Sequence, residues 1–140
     1  MQKISPDCLN YLTGKEKNAL TELKEKINKK YPGSDLILYG SKSRGNFSKE
    51  SDIDVLVLIE GAVGKEFKER YIDTLAGEKI KVTDVVYEIK EDIYSISYNI
   101  ELKYDIAVSP FVKPKYNWYN DGLLIAEPIH ENIDRDGIKL

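Results

Sequence analysis

Two short, almost wholly apolar runs, DLILYG (35–40) and DIDVLVLIE (52–60), most constrain what this chain can become. Each is too short for a helix and bounded by turn-forming residues, so each reads as a buried strand. The polar segment between them, Ser41 to Ser51, contains Gly45 and reads as a loop. A Gly-Ser turn therefore closes the first strand and an Asp-Ile-Asp opens the second. Two aspartates flanking an isoleucine at a strand entrance are costly unless something cationic sits between them.

The remaining segments supply helices around these strands. Ser5 before Pro6 can start a short helix, because proline is tolerated at the first helical position. Thr13 and Glu16 have capping-box spacing, and Ala19, Leu20, Leu23 and Ile27 follow at helical intervals until YPG (31–33) ends the helix. After Gly61 and Gly64, residues 65–77 read as a helix with Phe67, Tyr71 and Leu75 on one face. From Thr83 the apolar positions 86, 89, 93, 96 and 100 recur at steps of three and four, which predicts an amphipathic helix to about Lys103. DIAVSPFV, Asp105 to Val112, reads as a third strand, with Pro110 pointing to an edge or a bulge. KPKYNWYNDG (113–122) reads as a turn-rich loop, and the chain closes with a short helix before Gly137. The order α-β-β-α-α-β-α gives an α/β or α+β domain with a small mixed sheet.

Composition narrows the function classes. The 140 residues are expected to form one domain, 1–140, with 41% hydrophobic and 32% charged residues. A net charge of −3 argues against a nucleic-acid backbone as the partner. A single cysteine, Cys8, excludes an internal disulfide and reads as a buried or half-buried thiol; a single histidine, His130, excludes a histidine metal cluster and reads as a surface or packing residue. Without a long apolar run or a signal-like N-terminus, the expected location is the cytoplasm.

The Gly40–Gly45 spacing invites comparison with a P-loop, but Asn46 and Phe47 stand where that motif needs lysine and a hydroxyl residue. The turn still suits an anion. Gly40 permits close backbone approach, Ser41 offers a hydroxyl, and a helical turn after it would aim N–H groups at the ligand. Lys42 and Arg44, helped by a divalent ion, would supply most of the attraction. Asp52 and Asp54 lie two apart, so on a strand both carboxylates project to one face, about 6.6–6.8 Å apart along it. Such a pair suits Mg²⁺, which takes one or two carboxylates together with waters and phosphate oxygens.

Gly40-Ser41, ten residues, then Asp52-Ile53-Asp54 resembles the signature of the nucleotidyltransferase fold shared with DNA polymerase beta, and in particular of the minimal nucleotidyltransferases. GSKSRG (40–45) is similar to the basic turn of that family, and IELKYDIAVSPFV and IDRDGIKL resemble its later helix, strand and C-terminal segment. The resemblance implies an α+β fold with a small mixed β-sheet flanked by helices. It also implies Mg²⁺, with room for two ions, an NTP donor such as ATP, and transfer of a nucleoside monophosphate. By the same resemblance Ser41 and Arg44 are triphosphate contacts, and Asp52 and Asp54 are metal ligands.

The family's site adds a third acidic residue on a neighbouring strand. Asp105 is the first candidate for this catalytic and metal-binding role, as the opening residue of the third strand. A position deeper in that strand falls near Ser109 and leaves the carboxylate absent. Asp84 is the alternative, if residues 79–89 form a strand. The family resemblance also implies a protein acceptor: in bacterial members this is often a helical HEPN toxin neutralised by AMP transfer. The rival expectation is an antitoxin-like binding module of the same fold with weak or no transfer. Homo-oligomerisation is compatible with either, the helix bearing Ile89 to Ile100 offering a dimer face.

Overall fold

The computed structural model describes residues 2–45, 51–120 and 128–140. After a 3-10 turn at Pro6–Cys8, the elements are α1 (Gly14–Lys30), β1 (Asp35–Tyr39), α2 (Ser41–Arg44), β2 (Ile53–Ile59), β3 (Phe67–Asp73) and β4 (Lys79–Val85). They continue with α3 (Tyr87–Tyr104), β5 (Val108–Pro114), α4 (Lys115–Asn120), α5 (Pro128–Asp136) and β6 (Ile138–Lys139). The fold is α+β. A mixed sheet runs β5-β2-β1-β6, while β3 and β4 form a separate antiparallel ribbon. β1 is antiparallel to β2 and β6, and β5 is parallel to β2.

The central strands are apolar without interruption because both of their faces are covered. Leu36 and Leu38 of β1, with Ile53, Val55, Val57 and Ile59 of β2, pack on one side against Leu20, Leu23 and Ile27 of α1 and Ile93 and Ile100 of α3. Ile37, Leu56 and Leu58 face the other way, against Trp118 of α4 and Ile133 of α5. Alternation along each strand sorts the side chains between these layers, and it puts Asp54, Tyr39 and Ser109 on the α4–α5 side.

Local signals at α1 act as the spacing predicts. Thr13 Oγ1 accepts from the Glu16 backbone N–H at 3.1 Å, and Glu16 Oε1 accepts from the Thr13 N–H at 3.0 Å. At its other end Lys30 reaches Asp92 of α3 at 2.6 Å, joining the two helices of one layer. Pro110 lies in β5, at the sheet edge, where its missing N–H costs least.

Several expectations are corrected. Residues 65–77 are not helical: Phe67–Asp73 is β3, and of the predicted stripe only Phe67 is buried, while Tyr71 and Leu75 are exposed. The segment is stabilised by cross-strand register, Lys68 opposite Asp84 and Asp73 opposite Lys79, around a turn at Thr74–Gly77. The helix expected from Thr83 begins at Tyr87, since the β-branched stretch before it completes β4. The third strand begins at Val108 and not at Asp105. Lys115–Asn120 is helical because Trp118 needs a buried site, and a turn-rich reading overlooked that. The two-residue β6 was not anticipated, and Cys8 is exposed. Residues 46–50 of the loop and 121–127 before α5 lie outside the described residues.

The C-terminal helix is fixed by aromatic packing. The His130 ring stacks on Trp118 with centroids 4.1 Å apart, and its Nε2–H donates to the Trp118 carbonyl at 2.8 Å. At Gly137 a Cβ would lie 2.5 Å from the Ile133 carbonyl oxygen and 2.8 Å from Ile37 Cγ2, so only glycine lets the helix end lie this close to β1. Trp118→Ala is expected to lower stability by about 3–5 kcal/mol, read as a fall in the thermal or urea midpoint by circular dichroism, with α5 protection from hydrogen exchange lost first.

Candidate active site

The candidate site sits where β1 ends and β2 and β5 begin. Tyr39 and Asp54 are the last register pair of β1 and β2, and Asp54 faces Ser109 across the parallel pair. The chain leaves β1 through Gly40, at φ 75° and ψ −158°, a conformation that essentially only glycine adopts. A Cβ on Gly40 would lie 2.6 Å from Asp54 Oδ2. The Gly-Ser turn and the second aspartate of the Asp-Ile-Asp are therefore in direct contact. Ser41 then starts the single turn α2, held by Ser43 N–H and Oγ donating to the Gly40 carbonyl at 3.1 and 2.8 Å.

The two aspartates differ in environment. Asp52 precedes β2 and is exposed, and its Oδ2 accepts from Ser109 Oγ at 3.5 Å. Asp54 is half-buried, and burial, then the Asp52 charge, push its carboxyl above the usual range. Tyr39 is raised likewise by burial and by Asp54. A carboxyl raised by burial and by a neighbouring anion is a donor whose ionisation a divalent cation would favour. Among the described residues no group of three acidic, cysteine or histidine side chains is arranged to hold a metal. Two carboxylates, with waters and phosphate oxygens as further donors, would suit a hard divalent cation.

The basic residues of the turn separate. Lys42 points inward, its Nζ 2.6 Å from Glu16 Oε2, with both side chains more than nine-tenths buried. Burial opposes ionisation of Glu16, but the Lys42 bond and the Thr13 cap outweigh it and hold its carboxyl below the ordinary value. Lys42 therefore pins the turn to the start of α1, and Glu16, unremarked in the sequence except as a cap, is its buried counter-ion. Arg44 remains half-exposed, with Nη1 3.7 Å from Asp136 Oδ2 at the end of α5. Arg135 forks onto the same carboxylate at 3.1 and 3.0 Å.

The third-acid candidates lie elsewhere. Asp105 caps α3 in the left-handed conformation, exposed, three residues before β5. Asp84 is on β4, its Oδ2 2.7 Å from Lys90 Nζ and its Oδ1 accepting from the Val85 N–H. The residue beside Asp54 on β5 is Ser109.

A Gly-Ser turn packed on an Asp-x-Asp strand, at the edge of a mixed sheet with helices on both faces, defines a nucleotidyl-transfer fold. The nucleotidyltransferase domain family model matches residues 20–124. A protein of Methanocaldococcus jannaschii named "Putative protein adenylyltransferase" is 31% identical over 100 residues, covering 71% of this chain and 73% of its own length. The chain belongs to the nucleotidyltransferase domain family and is a nucleotide-transferring enzyme. Among the described residues no helix is long and apolar enough to cross a membrane.

Three substitutions probe this arrangement. Gly40→Ala should destabilise the fold through its positive φ and its clash with Asp54. Adding Asp54→Ala should recover part of that loss, a non-additivity of about 0.5–3 kcal/mol in denaturation cycles. Lys42→Met should cost about 3–5 kcal/mol, since it strands a buried carboxylate. Because Glu16 is depressed in the folded state, the pair stabilises above the unfolded glutamate pKa, and this is lost as pH falls through the folded value. Urea midpoints measured from neutral to acid pH should therefore fall less steeply in Lys42→Met than in the parent.

Proposed function

We propose that this enzyme transfers AMP from ATP to a protein acceptor in a Mg²⁺-dependent reaction. The contact between Gly40 and Asp54 Oδ2 carries the reading, since it sets a phosphate-approaching turn against a metal-binding acid. The protein acceptor is supported by the name of the Methanocaldococcus relative. In this reading Asp52 and Asp54 hold the metal, Gly40 and Ser41 receive the phosphates, and Arg44 neutralises them. Lys42 contributes by fixing the turn, with its charge already engaged by Glu16.

Bound Mg²⁺, as one ion or two, would neutralise phosphate charge and polarise the reacting oxygens. The chain's own share is positioning. The Gly40 backbone brings the nucleotide against Asp54, Ser41 and Arg44 orient the triphosphate, and the acceptor hydroxyl attacks the α-phosphorus in line, releasing its proton to solvent as the bond to pyrophosphate breaks. Ser109, hydrogen-bonded to Asp52, orients that carboxylate. Asp105, at a helix end, is at most an accessory acid.

One observation favours the rival reading of a weakly active binding module, with a HEPN-type toxin as the bound partner: serine stands beside Asp54 on β5, where a third carboxylate would lie. Incubation with α-labelled ATP, Mg²⁺ and candidate protein acceptors separates the two. Label should pass to the acceptor, fall to background in Asp52→Asn with Asp54→Asn, and decline less in Asp105→Asn than in either single variant of the pair. Absence of transfer by the parent, with partner binding unaffected by the double variant, would establish the module instead.

A further inference from the structure

With Lys42 neutralised by Glu16, the phosphate turn has less cationic charge than its sequence suggests. A nucleoside triphosphate carries up to four negative charges, and Asp52 and Asp54 add two more that the divalent ion must balance first. Arg44 alone does not make up the difference, because Asp136 lies 3.7 Å from its guanidinium. That pair by itself has no net charge to offer an anion.

The end of α5 changes this balance. Arg135 donates from Nε and Nη2 to Asp136 Oδ1 and Oδ2 at 3.1 and 3.0 Å, and from Nη2 to Asn132 Oδ1 at 3.3 Å. Asp136 Oδ2 is shared by both guanidiniums. Arg44, Arg135 and Asp136 carry a formal charge of +1 among themselves, with Glu131 acting on Arg135 as a further acid. The end of α5 is held in place by the close approach of Gly137 to Ile37 and by the burial of Ile133. Arg135 is two-thirds exposed, so its remaining N–H groups are open to a ligand. It also sits in the last helical turn, where its charge offsets the negative end of the helix dipole that an approaching anion would meet. A guanidinium already braced on a carboxylate loses less freedom on meeting a phosphate than a loose one does.

We propose that Arg135 is a second polyphosphate-binding residue, set beside Arg44 by their common partner Asp136, so that α5 forms one wall of the nucleotide site. The proposal rests on the nucleotidyl-transfer reading of the Gly-Ser turn and adds to it a ligand contact from the opposite end of the chain. Asp136 is the positioning residue of this cluster. The polyphosphate is the part of the ligand it recognises, with no contribution to base or sugar.

The test is calorimetric titration of the parent, Arg135→Ala and Arg135→Lys with ATP and with AMP, each in Mg²⁺. Arg135→Ala should weaken ATP about tenfold, as expected for loss of one charge-assisted contact. AMP affinity should be unchanged, and Arg135→Lys should recover part of the loss. Equal ATP affinity in the parent and Arg135→Ala would overturn the assignment while leaving the nucleotidyl-transfer reading intact. Equal weakening of ATP and AMP would also overturn it, indicating general disturbance of the site. Failure of the parent to bind either nucleotide would overturn both.

Discussion

The register pair of Tyr39 and Asp54 is the constraint on which the rest of the site depends. Because β1 and β2 are antiparallel, the exit of one and the entrance of the other meet at the same edge of the sheet. A chain leaving β1 must then turn away over the Asp54 carboxylate at φ 75° and ψ −158°, a conformation that glycine adopts without strain. The same geometry makes the turn and the acids one unit. Shifting the ladder by a residue would move Asp54 to the α1–α3 side and separate them.

The support for that unit is unusually buried for a surface turn. Lys42 and Glu16 pair their opposite charges out of solvent, and Glu16 also closes the capping box of α1. One side chain thus starts a helix and anchors a loop. Stability and site geometry are coupled here, since breaking the pair loosens both the N-terminus of α1 and the turn. Such a pair contributes little net stability over an apolar substitute, but it specifies one arrangement and penalises the others.

What the sequence disclosed followed from strong local signals. The apolar strands, the Thr13–Glu16 cap and the stripe of Ala19 to Ile27 have single physical explanations, and the structure contains each. Where two periodicities coincided, the reading failed. Phe67, Tyr71 and Leu75 satisfy a helical interval, but the segment pairs instead with the strand just beyond the Thr74–Gly77 turn, with Glu69 meeting Lys81 across the ribbon. The apolar run beside Asp105 suggests a strand, while a left-handed helix cap, a role that suits aspartate, ends α3 there first. The burial of Lys42 and the convergence of Arg135 on Asp136 depend on tertiary placement of α1 and α5. No interval along the chain encodes either, although the capping glutamate and the arginine of the last helical turn were visible as residues.

The β3–β4 ribbon stands apart from the main sheet, with most of β3 exposed. A free ladder edge of that length invites another chain to extend it. Lys68, Glu69, Arg70 and Asp73 place alternating charges along β3, so a second copy meeting it would have to desolvate them. The ribbon can therefore keep an open edge without seeding intermolecular sheets, while Phe67 and Val85 at its base tie it to the core.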